Sequence, residues 1–235
     1  MIKEKIEKIK REITEVCKKI GRPVEQITML AVSKTVGSEI VEEAVAAGHF
    51  CFAENKVQEL AVKRGYFENK KCNNLSWHLI GHLQSNKIKS AVDNADLFHC
   101  LDSVKLAQKI NQYCLQQNRI FNMLVQINSS GEESKSGITP NDLPAFLAEL
   151  SPLQNIRICG LMSIGRYNSL PEESRPEFKL MKRLFDYGAG LKQPNCEFKY
   201  LSMGMSHDFG VAIEEGANIV RVGTAIFGER NYNKE

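Results

Sequence analysis

No apolar run in this 235-residue chain approaches the roughly 18 residues needed to cross a bilayer. The N-terminus, Met1-Ile2-Lys3-Glu4-Lys5, lacks the apolar core of a signal peptide. These two absences lead us to expect a cytoplasmic protein without a membrane partner. A charge excess is also missing: the formal net charge is only +3, and the lysines and arginines are spread among acids. No nucleic-acid surface is expected from that distribution. The seven cysteines are an odd number and contain no CxxC pair. Neither a disulfide framework nor a zinc site follows. Cys51, Cys100 and Cys159 lie inside apolar runs, where cysteine usually packs as a small hydrophobe.

What is present is an average globular composition, 43% hydrophobic and 25% charged. Residues 2 to 20 place isoleucines at three- and four-residue spacings, which predicts an amphipathic helix stopped by Gly21 and Pro23. Eight strand-like apolar runs follow, at residues 27–32, 49–53, 76–81, 96–101, 121–127, 156–164, 197–203 and 218–222. Each of the first seven is trailed by a helical pattern, and no hairpin signal intervenes. That alternation predicts a (β/α)8 barrel, an α/β fold with its parallel sheet closed on itself. A barrel takes about 250 residues, so one domain with an extra N-terminal helix is expected to use residues 1–235. An open doubly wound sheet is disfavoured because no glycine-rich turn follows the first run.

Barrel chemistry sits where strands end, at the C-terminal rim. The run Ile27-Thr28-Met29-Leu30-Ala31-Val32 ends at Ser33-Lys34-Thr35. A lysine there either reaches out to solvent or, if desolvated, becomes a free-amine nucleophile able to form a Schiff base. The other rim positions include Asn55 after Glu54, His78, Asp102, Met162, Met203, Ser206, Arg221, Gly223 and Thr224. Gly204-Met205-Ser206 at the start of a short helix, and Val222-Gly223-Thr224 after the last strand, both suit an anion such as phosphate. Arg221 ends an otherwise apolar strand and needs a partner. A phosphate, an acidic substrate or a heteroaromatic ring nitrogen would serve, as would an ion pair with Glu54 or Asp102. His78 and His82 lie at a strand end and not on a helix face, so a metal pair is not expected; His78 reads as lining a pocket or supporting a residue that does. The polar loop 129–137 is either a lid or docking surface, or plainly solvated.

These motifs resemble a known family. Ala31-Val32-Ser33-Lys34, Phe52-Ala53-Glu54-Asn55-Lys56-Val57-Gln58-Glu59, Trp77-His78-Leu79-Ile80-Gly81-His82, Lys135-Ser136-Gly137, Gly160-Leu161-Met162, Leu201-Ser202-Met203-Gly204-Met205-Ser206 and Val220-Arg221-Val222-Gly223-Thr224 are similar, in order, to those of the pyridoxal 5′-phosphate homeostasis proteins. Those are single-domain relatives of the N-terminal barrel of alanine racemase. The resemblance implies pyridoxal 5′-phosphate held covalently on Lys34. It also implies a phosphate site at Ser206, Gly223 and Thr224, Arg221 against the pyridine nitrogen, and Asn55, His78, Met162 and Met203 around the ring. A racemase draws its opposite-face tyrosine from an additional domain of a partner subunit, and no such group is expected here. A barrel of this length without an added domain is expected to be a monomer. The implied function is a carrier or buffer that delivers the cofactor to dependent apo-enzymes, without established turnover. The alternative is a fold-type III enzyme such as an amino-acid racemase. The motif departs from the usual pattern at Ala53, where glycine is frequent, and at Lys56, where an aromatic residue is frequent.

Overall fold

The computed structural model of the chain describes residues 1–132, 135–166 and 170–228. The isoleucine spacing near the N-terminus forms α1 (Ile2–Ile20), which turns Ile6, Ile9, Ile13 and Cys17 inward and stops at Gly21 in the left-handed region, φ 67°. Burying each such isoleucine stabilises the fold by about 1.5–3 kcal/mol.

The apolar runs become β1 (Thr28–Val32), β2 (Cys51–Glu54), β3 (Ser76–Leu79), β4 (Leu97–Leu101), β5 (Phe121–Ile127), β6 (Ile156–Ser163), β7 (Cys196–Ser202) and β8 (Ile219–Val222). They pair in sequence order, all in parallel, and β8 closes on β1 with Leu30 level with Arg221. The expected barrel is therefore the observed one. The helices are α2 (Ser38–Ala46), α3 (Val57–Asn69), α4 (Ile88–Asn94), α5 (Val104–Gln116), α6 (Leu143–Leu150), α7 (Arg175–Gly190), α8 (Phe209–Glu214) and α9 (Thr224–Phe227). Among the described residues no helix is long and apolar enough to cross a membrane.

Side chains alternate along each strand, and the alternation sets up everything that follows. Outward residues build the apolar layer against the helices. Phe52 and Phe67 flank Trp77, with ring centroids 5.3 and 5.9 Å away, and this stack seats α3 on β2 and β3. Inward residues line two separate hollows. Ser76 and His78 of β3 face a basal cavity at the N-terminal end, whereas Ile80, two residues on, faces a cavity at the rim. Ile219 and Gly223, at either end of β8, divide in the same way. Branched aliphatics normally fill a barrel interior. Here His78, His99, Ser202 and Arg221 are buried within it.

Candidate functional site

The rim cavity has a volume of about 280 Å³. Seven of the expected residues meet on its wall: Lys34 after β1, Asn55 after β2, Met162 on β6, Ser206 after β7, Arg221 on β8, and Gly223 with Thr224 beyond it. Val32, Ile80, Ile164, Met205 and His207 complete the lining; of these the sequence reading named only Met205, within the anion-binding stretch Gly204-Met205-Ser206. A larger hollow, of about 550 Å³, opens between α1 and the base of the barrel. It contains none of the rim residues, so the chemistry selects the smaller one.

Two expected residues lie elsewhere. His78 points inward, but one layer below the rim, and Ile80 takes its place at the pocket. Met203 follows the inward-facing Ser202, so alternation turns it away, and it is fully buried outside the cavity. Met205 enters the pocket instead.

At one side of the cavity the hydroxyls of Ser206 and Thr224 are 3.4 Å apart. The helix expected to open at Gly204-Met205-Ser206 starts later, at Phe209, because the Asp208 carboxylate accepts the Met205 N–H at 2.6 Å and holds residues 205–208 as a turn. Ser206 is thus not a helix cap. Gly223 has φ −115°, and an added Cβ would meet only ordinary contacts, the nearest being the Val32 carbonyl oxygen at 3.4 Å. Neither backbone conformation nor neighbouring protein demands glycine there. Gly223 itself lines the cavity, next to Val32.

Arg221 is 5% exposed. Its guanidinium donates to Ser202 Oγ at 2.8 Å and to the Ser163 carbonyl at 2.7 Å. Neither Glu54 nor Asp102 pairs with it: Glu54 is engaged by Ser33 and Lys63, and no ion pair of Arg221 exists among the described residues. Burial lowers its pKa to about 10, so it remains a cation at neutral pH. Two of its five N–H donors are directed at neutral acceptors, which leaves donors available to a ligand in the cavity.

Beneath Lys34 lies a buried ionic knot. Glu54 Oε1 accepts from Ser33 Oγ at 2.6 Å and from Lys63 Nζ at 2.5 Å, and Lys63 also donates to the Ser33 carbonyl at 2.7 Å. The end of β1 is pinned by these bonds. Burial pushes the Glu54 carboxyl up, against the opposing pull of Lys63 and Ser33. On the other side of Lys34, Thr35 adopts φ 65° and its N–H is held by Glu59 Oε2 at 2.8 Å. A β-branched residue in that region is strained, and such strain concentrates at functional sites. Lys63 was missed, although it sits on the buried stripe Val57, Leu60, Lys63 and Phe67 of α3. A lysine at that helical spacing was the available signal.

Asn55 reaches the cavity because Gly81 leaves room for the turn after β2; a Cβ on Gly81 would fall 1.9 Å from the Asn55 carbonyl oxygen. The polar loop expected as a lid or surface includes Glu133 and Ser134, which lie outside the described residues. Its described part is tied down by Asn128 Nδ2, which donates to the carbonyls of Glu132 and Lys135 at 2.9 and 3.2 Å.

Residues 5–231 match the family of the alanine racemase N-terminal domain. The pyridoxal phosphate homeostasis protein of Aquifex aeolicus is 39% identical over 229 residues, covering 97% of this chain and 98% of its own. That of Escherichia coli strain K12 is 37% identical over 234 residues, covering 100% and 99%. The chain belongs to the pyridoxal phosphate homeostasis protein family. A solved relative, PipY of Synechococcus elongatus with pyridoxal phosphate bound, superposes with a TM-score of 0.79 at 32% identity, covering 97% of this chain and 100% of that one. Alanine racemase of Clostridium difficile shares the barrel, with a TM-score of 0.65 at 17% identity, covering 95% of this chain but 60% of the racemase. Of the two departures from the homeostasis-family motif, Ala53 is fully buried between Val32 and His78 in the sheet, and Lys56 is exposed 3.9 Å from Glu59. Neither side chain lines the cavity.

Proposed function

We propose that this protein binds pyridoxal 5′-phosphate in the rim cavity, joined covalently to Lys34, and keeps it in reserve for dependent apo-enzymes without turning over a substrate. The observation that carries the reading is the gathering of an amine, a pair of hydroxyls and a buried guanidinium on one wall. The cofactor bound to the Synechococcus relative supports the choice of ligand.

The residues fit the group. Arg221 has unused donors and no carboxylate ion pair among the described residues, and Gly223 brings backbone without a side chain to the cavity wall. When bound, the cofactor supplies an electrophilic aldehyde conjugated to a ring that can take up electrons. Lys34 Nζ would supply the amine that holds the cofactor through its aldehyde carbon, a linkage that water can reverse, so one attachment would serve storage and release. Ser206, Thr224 and the Gly223 backbone hold the phosphate. Asn55 and Met162 bound the ring. Arg221 can donate to the ring nitrogen but cannot receive its proton. That keeps the nitrogen unprotonated and the ring a poor electron sink, which suits storage and equally suits racemisation where a second base is supplied, so Arg221 alone does not separate the two.

One observation favours a second reading, an amino-acid racemase: the imidazole of His207 lies on the cavity wall, 3.6 Å from Asp208 Oδ2. A racemase needs a base on each face of Cα, and His207 is a candidate to complement Lys34. Proton NMR of L-alanine in heavy water with the cofactor-loaded protein separates the two. Storage predicts that the α-proton signal persists over many protein equivalents. Loss at turnover rates that depends on both Lys34 and His207 would replace storage with racemisation.

A further inference from the structure

A hydrogen-bonded chain of buried side chains runs down the barrel axis from Arg221 toward the basal cavity. Arg221 Nη1 donates to Ser202 Oγ at 2.8 Å; Ser202 Oγ lies 3.1 Å from His99 Nδ1; His99 Nε2 lies 2.9 Å from His78 Nδ1; and His78 Nε2 lies 3.1 Å from Ser76 Oγ. His99 and Ser202 are fully buried. Burial keeps both imidazoles neutral, lowering His78 to about 4 and His99 well below its usual value, the latter helped by His78 and Arg221.

The proton positions follow from one fact: a guanidinium can only donate. Ser202 Oγ must therefore accept from Arg221, and its remaining hydrogen-bond neighbour among the described residues is His99 Nδ1. If His99 carried its proton on Nδ1, the Ser202 hydroxyl hydrogen would be buried with no acceptor. The satisfied arrangement has Ser202 O–H donating to His99 Nδ1, His99 Nε2–H donating to His78 Nδ1, and His78 Nε2–H donating to Ser76. Every link then points away from the cofactor pocket.

We propose that His99 is a positioning residue for the cofactor-facing guanidinium: its unprotonated Nδ1 fixes the Ser202 hydroxyl, which in turn holds Arg221 in the orientation that meets the ring nitrogen. His78 fixes the His99 tautomer and stands one step further back. This rests on the reading that the rim cavity takes pyridoxal phosphate, but the tautomers do not, because they are set in the protein alone.

Two measurements test it on the full chain. Long-range ¹H–¹⁵N correlation of the histidine rings in the cofactor-free protein is expected to show His78 and His99 as neutral Nε2–H tautomers near neutral pH; an Nδ1–H form at His99 overturns the proposal. His99→Leu removes acceptor and donor, whereas His99→Gln keeps one of each. With folding checked by thermal unfolding, the leucine variant should still form the Lys34-dependent visible band but lose cofactor about tenfold faster, as expected for weakening one hydrogen bond to a charged group. Its band should also titrate at a different pH. The glutamine variant should stay close to wild type in both. A folded His99→Leu protein with wild-type release and titration overturns the proposal, as does a glutamine variant no better than leucine. Absence of the band from wild type would instead sink the cofactor reading, and the tautomer measurement would still decide the polarity of the chain.

Discussion

Nζ of Lys63 and Oε1 of Glu54 meet at 2.5 Å in surroundings that leave both side chains almost without solvent. This pair ties α3 to the end of β2, and through the Ser33 carbonyl to the strand end that presents Lys34. A buried pair contributes little net stability when intact but is costly when halved.

Lys63→Met should therefore destabilise the protein by about 3–5 kcal/mol in urea unfolding, and Glu54→Gln in the same chain should recover much of it. The sign with pH is set by the raised Glu54 carboxyl. Its contribution to stability is fully present below the ordinary carboxylate range and is lost as pH rises through the raised value. Removing Lys63 pushes the carboxyl higher still, so the stability deficit of the single variant relative to wild type should narrow on mild acidification.

The buried histidines work in the opposite direction. Burial lowers His49 and His78 to about 4, and His99 well below its usual value. A depressed imidazole contributes stability that is present above its unfolded pKa and is lost as pH falls toward its folded one. Urea midpoints should drop between about pH 7 and about pH 5, and His78→Gln should flatten that drop.

The phosphate end can be tested without touching the lysine. Gly223→Ala should leave the melting temperature near wild type, since its Cβ meets only ordinary contacts in the protein. The methyl would be carried by a residue that lines the cavity beside Thr224. Pyridoxal phosphate affinity, measured by absorption titration, should fall about tenfold or more, and Ser206→Ala should fall similarly by losing one hydrogen bond to a charged group. Pyridoxal without phosphate should discriminate little between these variants and wild type.

These expectations show where the sequence was readable. Eight apolar runs with helical patterns between them fix a parallel barrel almost unaided, and strand ends then place Lys34, Asn55 and Thr224 at the rim. The interior was not readable in the same way. His99 sits in the apolar run Leu97-Phe98-His99-Cys100-Leu101, and nothing local states that it faces Ser202, 103 residues later. That proximity depends on closure of the barrel. Met203 turns away from the cavity and His78 stands one layer below it, in the supporting place the sequence reading had left open, because a shift of one residue reverses the side of the sheet and a shift of two changes the layer. Met205 and His207 enter the pocket from a turn set by the Asp208 carboxylate, which periodicity does not reveal.

The most direct test of the central claim is where the cofactor is attached. The protein is incubated with one equivalent of pyridoxal phosphate, reduced with borohydride, digested and mapped by mass spectrometry. The account predicts a reduced adduct concentrated on the peptide carrying Lys34, absent from Lys34→Ala. An adduct spread over other lysines, or undiminished in Lys34→Ala, would contradict it.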